Sequence, residues 1–198
     1  SDGIGPLILI FGSALTLPAS KNYEREVDIA RRLAEEGLDI STGGGPGIME
    51  AANKGASMAA GKSVGLNIEL PFEQHANPYI DRDKNLQFDF FFVRKVMFVK
   101  YSQGFILMPG VFGTMDEFFE VATLVQTGKF RQSPMILMGS SYWGGLINWI
   151  RNNRDEQDHN NNHEDLHRIK IFETTERLVG YIIDFSKTNP RAPNFSHT

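Results

Sequence analysis

The stretch Gly104–Glu120, GFILMPGVFGTMDEFFE, passes from an apolar run through a glycine-bearing break into an amphipathic segment. Phe105, Ile106, Leu107 and Met108 are too few for a helix and suit a buried strand, and Pro109 and Gly110 then break the chain. A helix is expected at once, with Thr114 as its cap and Asp116 and Glu117 in its first turn, where carboxylates favour the positive end of the dipole. Thr114 and Glu117 have the S/T-x-x-E spacing of a capping box, in which Glu117 is structural. The same geometry has a functional reading. The N–H groups of Gly113, Thr114 and Met115 at a helix N-terminus form an anion site, most often for phosphate, and Glu117 then faces whatever is joined to the anion.

Another unit of this kind, the first of the two in chain order, lies upstream. Leu38 to Ser41 reads as a short strand, Thr42-Gly43-Gly44-Gly45-Pro46-Gly47 as a tight turn, and Ile48 to Ala60 as an alanine-rich helix ending at Gly61. Working outward, Pro6 to Phe11 is a buried first strand, since its apolar run without alternation suits a sheet covered on both faces. Residues 22–36 place Val27, Ala30, Leu33 and Ala34 at helical spacing and stop at Gly37. Further strands are expected over 63–67, 86–92, 134–138 and 169–172, with helices over 93–101, from Thr114 to about Gln126, 142–151, and from a Thr174 or Thr175 cap to about Lys187. Residues 69–83 read as a long loop over the strand ends. This alternation of strands and helices predicts an α/β fold: a doubly wound, mostly parallel sheet of about seven strands, helices on both faces, and ligands at the carboxyl ends of the strands.

The 198 residues suit one domain, 1–198, with 1–5 and 188–198 frayed. A formal charge of −4 offers no basic stripe for nucleic acid, and no apolar run nears the roughly 20 residues that span a bilayer. The lack of cysteine removes disulfides, thiolate zinc sites and a cysteine nucleophile, and fits a reducing cytoplasm, which is the expected location.

Neither glycine loop is a common nucleotide fingerprint. The first lacks the lysine of a P-loop, the second does not show G-x-G-x-x-G, and no acid is placed to bind a dinucleotide ribose. Taken together, however, TGGGPGIMEAANKGA (42–56) and PGVFGTMDE (109–117), with LNIELPFEQHANPYI, FFVRKVMFVKYS and SYWGGLINWI, resemble the family labelled lysine decarboxylase-like. Its characterised members, the Lonely Guy proteins, are cytokinin riboside 5'-monophosphate phosphoribohydrolases. The resemblance covers about residues 5–150 and implies a Rossmann-like homodimer, with the site near the subunit interface, that hydrolyses the N-glycosidic bond of a nucleoside 5'-monophosphate without a cofactor. It implies that Glu117 is the catalytic glutamate and Arg94 the catalytic arginine. The chemistry suits them: a fixed carboxylate stabilises an oxocarbenium-like state and directs water, and a permanently cationic fork serves the departing base or the phosphate. Gly110, Gly113 and Thr114 are the expected phosphate binders, with Gly43, Gly44, Gly45, Glu50 and Lys95 as further substrate contacts. Glu50 is a ribose ligand or a dipole partner of its helix, and Arg94 has an ion pair as its structural alternative. No pyridoxal-binding pattern supports the decarboxylase label.

Two departures bear on turnover. Val111 stands where the family pattern PGGxGTxxE has its second glycine, and a β-branched residue is costly at positive φ and bulky beside a ligand. Leu15 stands where the family usually has an arginine after FGSA. A nucleotide-binding regulator without turnover is therefore one alternative, and a broader nucleotide 5'-monophosphate nucleosidase another. His159, His163 and His167 recur at helical spacing, but their asparagine-rich surroundings predict an exposed loop and no metal site. Trp143 and Trp149 read as packing or dimer contacts.

Overall fold

The structure is a computed structural model, and it describes residues 5–69, 75–127, 133–157 and 167–189. Its elements are β1 (Leu7–Phe11), α1 (Lys21–Glu35), β2 (Asp39–Thr42), α2 (Ile48–Met58), β3 (Ser63–Ile68), a 3-10 turn (Arg82–Lys84), β4 (Asn85–Phe88), α3 (Phe91–Tyr101), β5 (Ser102–Leu107), α4 (Phe112–Gln126), β6 (Met135–Met138), α5 (Ser140–Gln157), β7 (Ile169–Phe172) and α6 (Thr175–Thr188). The strands form one seven-stranded sheet in the order β4-β3-β2-β1-β5-β6-β7, and every neighbouring pair is parallel. This is the doubly wound α/β, Rossmann-like arrangement that the alternation predicts.

The central strands are apolar throughout because each face of the sheet is covered. Successive residues of β1 enter opposite cores: Ile8 and Ile10 pack with α1, α2 and α6, while Leu7, Leu9 and Phe11 pack with α3, α4 and α5. Complete burial of one such side chain contributes roughly 1.5–3 kcal/mol, so the two cores together bind the helices to both faces of the sheet. The small residues of α2 serve its contact with α1 as well as the sheet: a Cβ on Gly55 would meet the Val27 carbonyl of α1. Ser20 caps α1 by accepting from the Tyr23 N–H at 3.3 Å, and Thr174 caps α6 by accepting from Arg177 at 3.4 Å.

Two local expectations are corrected. The aromatic run 86–92 does not continue as a strand: β4 ends at Phe88 and α3 begins at Phe91. Helix α4 begins at Phe112 with Val111 as N-cap and no side-chain cap, so Thr114 and Glu117 lie inside the helix and form no capping box. The turn at Gly110 starts the helix before the first side chain able to cap it. Of the spaced histidines, His159 and His163 lie outside the described residues. No cluster able to hold a metal occurs among the described ones.

Candidate functional site

The strand order reverses between β1 and β5, and the crevice outside their carboxyl ends is where a doubly wound sheet binds ligands. Three loops meet there. The Ser13 N–H donates to the Pro109 carbonyl at 3.2 Å, while the Ser13 carbonyl accepts from Ile48, the first residue of α2, at 3.0 Å. The loop after β1 thus ties the two glycine units together. Tyr142, from α5, donates its hydroxyl to the Gly110 carbonyl and pins the second unit from the other side.

Between these loops lies a cavity of about 300 Å³, lined by Phe11 to Ala14, Gly43, Gly45, Met49, Asn67, Ile68, Phe91, Arg94, Phe98, Val111, Gly113, Thr114, Asp116 and Glu117. The structure therefore brings Gly43, Gly45, Arg94, Gly113, Thr114 and Glu117 into one wall-to-wall arrangement. Gly44 and Gly110 are not part of the lining, and a Cβ on either would strike a neighbour, Asn67 or Thr114. Lys95 is bound to Asp116 at 2.6 Å and lies 3.6 Å from Glu120, outside the lining. Glu50 accepts a hydrogen bond from the Tyr23 hydroxyl at 3.1 Å and faces α1.

Arg94 Nη2 stands 3.8 Å from Glu117 Oε1, with side-chain exposures of only 13% and 8%. The guanidinium lies over the rings of Phe91 and Phe98, each 5.3 Å from its centroid, and its buried Nε has no hydrogen-bond partner. Its other edge approaches Gly43, so the arginine bridges from one glycine unit to the Glu117 carboxylate of the other. Burial raises the Glu117 carboxyl to about 7, against the pull of Arg94 and Lys95. Burial likewise lowers Arg94, against the attraction of Glu117. Both shifts indicate that desolvation of this pair exceeds its mutual attraction, the balance expected when two charges leave water without bidentate contact. Glu117 is thereby poised to exchange a proton near neutral pH, a value suited to general-base work.

The start of α4 offers backbone donors. Phe112, Gly113 and Thr114 occupy its first turn, where N–H groups lack partners within the helix. Met115, expected to join them, instead donates to the Val111 carbonyl at 3.0 Å. A Cβ on Gly113 would meet nothing within 4 Å, so this edge is open to a ligand. Val111 has φ −116° and ψ −150°, extended backbone that any residue adopts, which overturns the expectation of strain there. Leu15 is 78% exposed and is not part of the lining.

Sequence reading missed Ser13, Asn67, Tyr142 and the apolar bed of Arg94. None has a motif of its own, because each acts from a separate element. Thr42 was legible in principle. Its hydroxyl accepts from the Gly44 N–H at 2.9 Å, the turn that Thr-x-Gly favours.

The model of the family described as "Possible lysine decarboxylase" matches residues 49–182. The chain belongs to this family. Among curated relatives, a cytokinin riboside 5'-monophosphate phosphoribohydrolase of Arabidopsis thaliana is 24% identical over 144 residues, covering 72% of this chain and 66% of the relative. A rice protein (Oryza sativa subsp. japonica) named as a probable enzyme of the same kind is 26% identical over 133 residues, covering 63% and 59%. The chain thus spans roughly three fifths of the length of such relatives, 62% for another from Arabidopsis thaliana. Among solved structures, the molybdenum cofactor carrier protein of Chlamydomonas reinhardtii superposes with TM-score 0.64 at 14% identity over 91% of this chain and 97% of that one. The molybdenum cofactor binding protein of Rippkaea orientalis gives 0.62 at 21% identity over 93% and 98%. Those two likenesses concern the fold alone.

Proposed function

We propose that this lysine decarboxylase-like family member hydrolyses the N-glycosidic bond of a nucleoside 5'-monophosphate, of the cytokinin riboside monophosphate or AMP type, to free base and ribose 5-phosphate. The observation that carries this reading is the buried Arg94–Glu117 pair, 3.8 Å apart, beside the open first turn of α4. In this reading the phosphate binds the N–H groups of Gly113 and Thr114, with Gly110 shaping the turn. Gly43 and Gly45 wall the ribose, Gly44 holds their loop in shape, and Glu50 and Lys95 support the site from outside the cavity. Glu117, as carboxylate, takes a proton from water while its charge stabilises the cationic sugar. The water oxygen bonds to the anomeric carbon as the carbon–nitrogen bond breaks and its electron pair leaves on the base; Arg94 offsets the negative charge developing there until the base takes the proton from Glu117, which returns to its carboxylate. No residue role requires a cofactor. The decarboxylase label draws no support from the lysines of α3, since Lys95 is held by Asp116 and Lys100 lies over the Tyr101 ring at 5.4 Å.

The same reading places the protein in the cytoplasm as a homodimer, without nucleic acid or membrane as partner. No described helix is long and apolar enough to cross a membrane. The exposed Phe90, Phe92, Val96 and Phe112, on and beside α3 and at the start of α4, provide an apolar surface next to the cavity where a second copy would bring the site to the interface.

Incubation of the purified protein with adenosine and isopentenyl-adenosine monophosphates, followed by detection of free base, tests the proposal. Release of base abolished by Glu117→Gln supports it. No base from any purine or pyrimidine monophosphate overturns it, and release without preference for an N6-prenylated base favours the broader nucleosidase. Because Val111 is unstrained, backbone strain gives no reason to expect a binding protein without turnover.

A further inference from the structure

The first glycine unit is backed by a buried amide network that the mechanism above does not use. Asn53, wholly buried in α2, accepts at Oδ1 from the Thr42 hydroxyl at 2.6 Å and from Asn77 Nδ2 at 3.0 Å. Its own Nδ2 donates to Ser63 Oγ at 2.9 Å and to the Val64 carbonyl at 3.2 Å. Asn77, 7% exposed, donates its second Nδ2 hydrogen to the Gly45 carbonyl at 3.0 Å and its backbone N–H to the Gly44 carbonyl at 2.9 Å. Its Oδ1 accepts from Tyr79 N at 3.2 Å. Both hydrogens of both amides are therefore used, and the two amides can adopt only one orientation. A half-satisfied network at this depth is far more costly than a complete one.

The network acts on one object. Asn77, itself outside the lining, holds the carbonyls of Gly44 and Gly45 in the loop whose Gly43 and Gly45 line the cavity together with Arg94. A carbonyl turned into that wall would set an acceptor against an anionic nucleotide. We propose that Asn77, oriented by Asn53, is a positioning residue that sets the glycine-loop wall for the sugar-phosphate part of the substrate. It does not touch the reacting atoms. This rests on the nucleotide-hydrolase reading, and it predicts a defect in binding with little change in the chemical step, since Glu117 and Arg94 stand on other elements.

Asn77→Asp is nearly isosteric but replaces the donor with an oxygen facing the Gly45 carbonyl and Asn53 Oδ1. Asn77→Ser removes the amide while leaving the backbone N–H to Gly44. Each variant, with its fold checked by circular dichroism, is titrated calorimetrically with ribose 5-phosphate and with adenosine monophosphate, and assayed for base release across pH. The expected result is KM and dissociation constants raised tenfold or more for Asn77→Asp and severalfold for Asn77→Ser. The turnover number should stay within threefold of wild type, and its pH profile should not move. A loss of stability alone, with unchanged binding, would mark the network as purely structural and overturn the proposal. So would a fall in turnover number at constant KM. Should Asn77→Asp not fold, Asn77→Ser decides by the same criteria. Wild-type protein that neither binds these ligands nor releases base overturns the functional reading and this inference with it, whereas equal binding by wild type and variants overturns this inference alone.

Discussion

The two glycine loops begin alike, each following a strand and opening a helix, yet they are built for opposite purposes. The first, Gly43–Gly47, is braced from behind. Gly44 and Gly47 have φ +77° and +69°, and any side chain at Gly44 would collide with the Asn67 amide. The second, Pro109–Thr114, faces outward at its far end: Val111 is 58% and Phe112 92% exposed, and Gly113 has empty space beside it. Glycine in one loop is demanded by backbone shape and close approach, while at Gly113 it leaves room for something that is not protein. A braced wall and an open receptor, bridged by Arg94, suit a ligand held along one edge and reacted upon along the other.

The largest expected effect removes the proposed base on the open loop's helix. Glu117→Gln should lower turnover by about 100- to 10,000-fold, the range for loss of a general base, as read by base release at saturating nucleotide. The same substitution should stabilise the protein at alkaline pH. The carboxyl is raised in the folded state to about 7, so folding takes up a proton, and the stability tied to this group falls as pH rises from its ordinary 4.5 through 7. Urea midpoints at pH 8 should place Glu117→Gln above wild type, and equal midpoints would contradict the burial of the charge.

Next in size, Gly44→Ala should cost about 2–4 kcal/mol in urea denaturation, combining positive φ with a clash against Asn67, and a loss below 1 kcal/mol would show that the first loop is not rigid. A smaller effect concerns the pH dependence of catalysis. With Glu117 as the proposed base, active only when ionised, kcat/KM should rise on an acid limb centred near pH 7 and fall about tenfold per unit well below it; a limb near 4.5 would assign the base elsewhere. The smallest belongs to the open loop. Gly113→Ala meets no atom and lies within a helix, so its effect on stability should stay within about 1 kcal/mol, while tighter or weaker ribose 5-phosphate binding measures how closely a ligand approaches that position.

Much of this architecture was legible from periodicity. The apolar runs at 6–11, 105–108 and 134–138 were short enough to suit strands covered on both faces, and the glycines after two strands marked where the chain turns into helices at the ligand end of the sheet. The candidate pair was legible through resemblance, since composition alone cannot tell an acid in a helix from a catalyst. The local errors have definite causes. Residues 86–92 are aromatic whether paired in β4 or entering α3, so periodicity could not divide them. Thr114 had the spacing of a cap, but the helix began before it because Gly110 and Val111 already supplied the turn.

By itself, then, the chain determined the order of strands and helices, the faces they bury and the positions of its two loops, because these follow from local spacing of apolar residues and breakers. Tertiary structure alone decided the rest. It brought Arg94 to within 3.8 Å of Glu117 and raised the carboxylate by removing it from water. It also joined Thr42, Asn53 and Asn77 into one network. Burial, orientation and the pairing of distant polar groups depend on which elements pack together, and no stretch of sequence carries that information within itself.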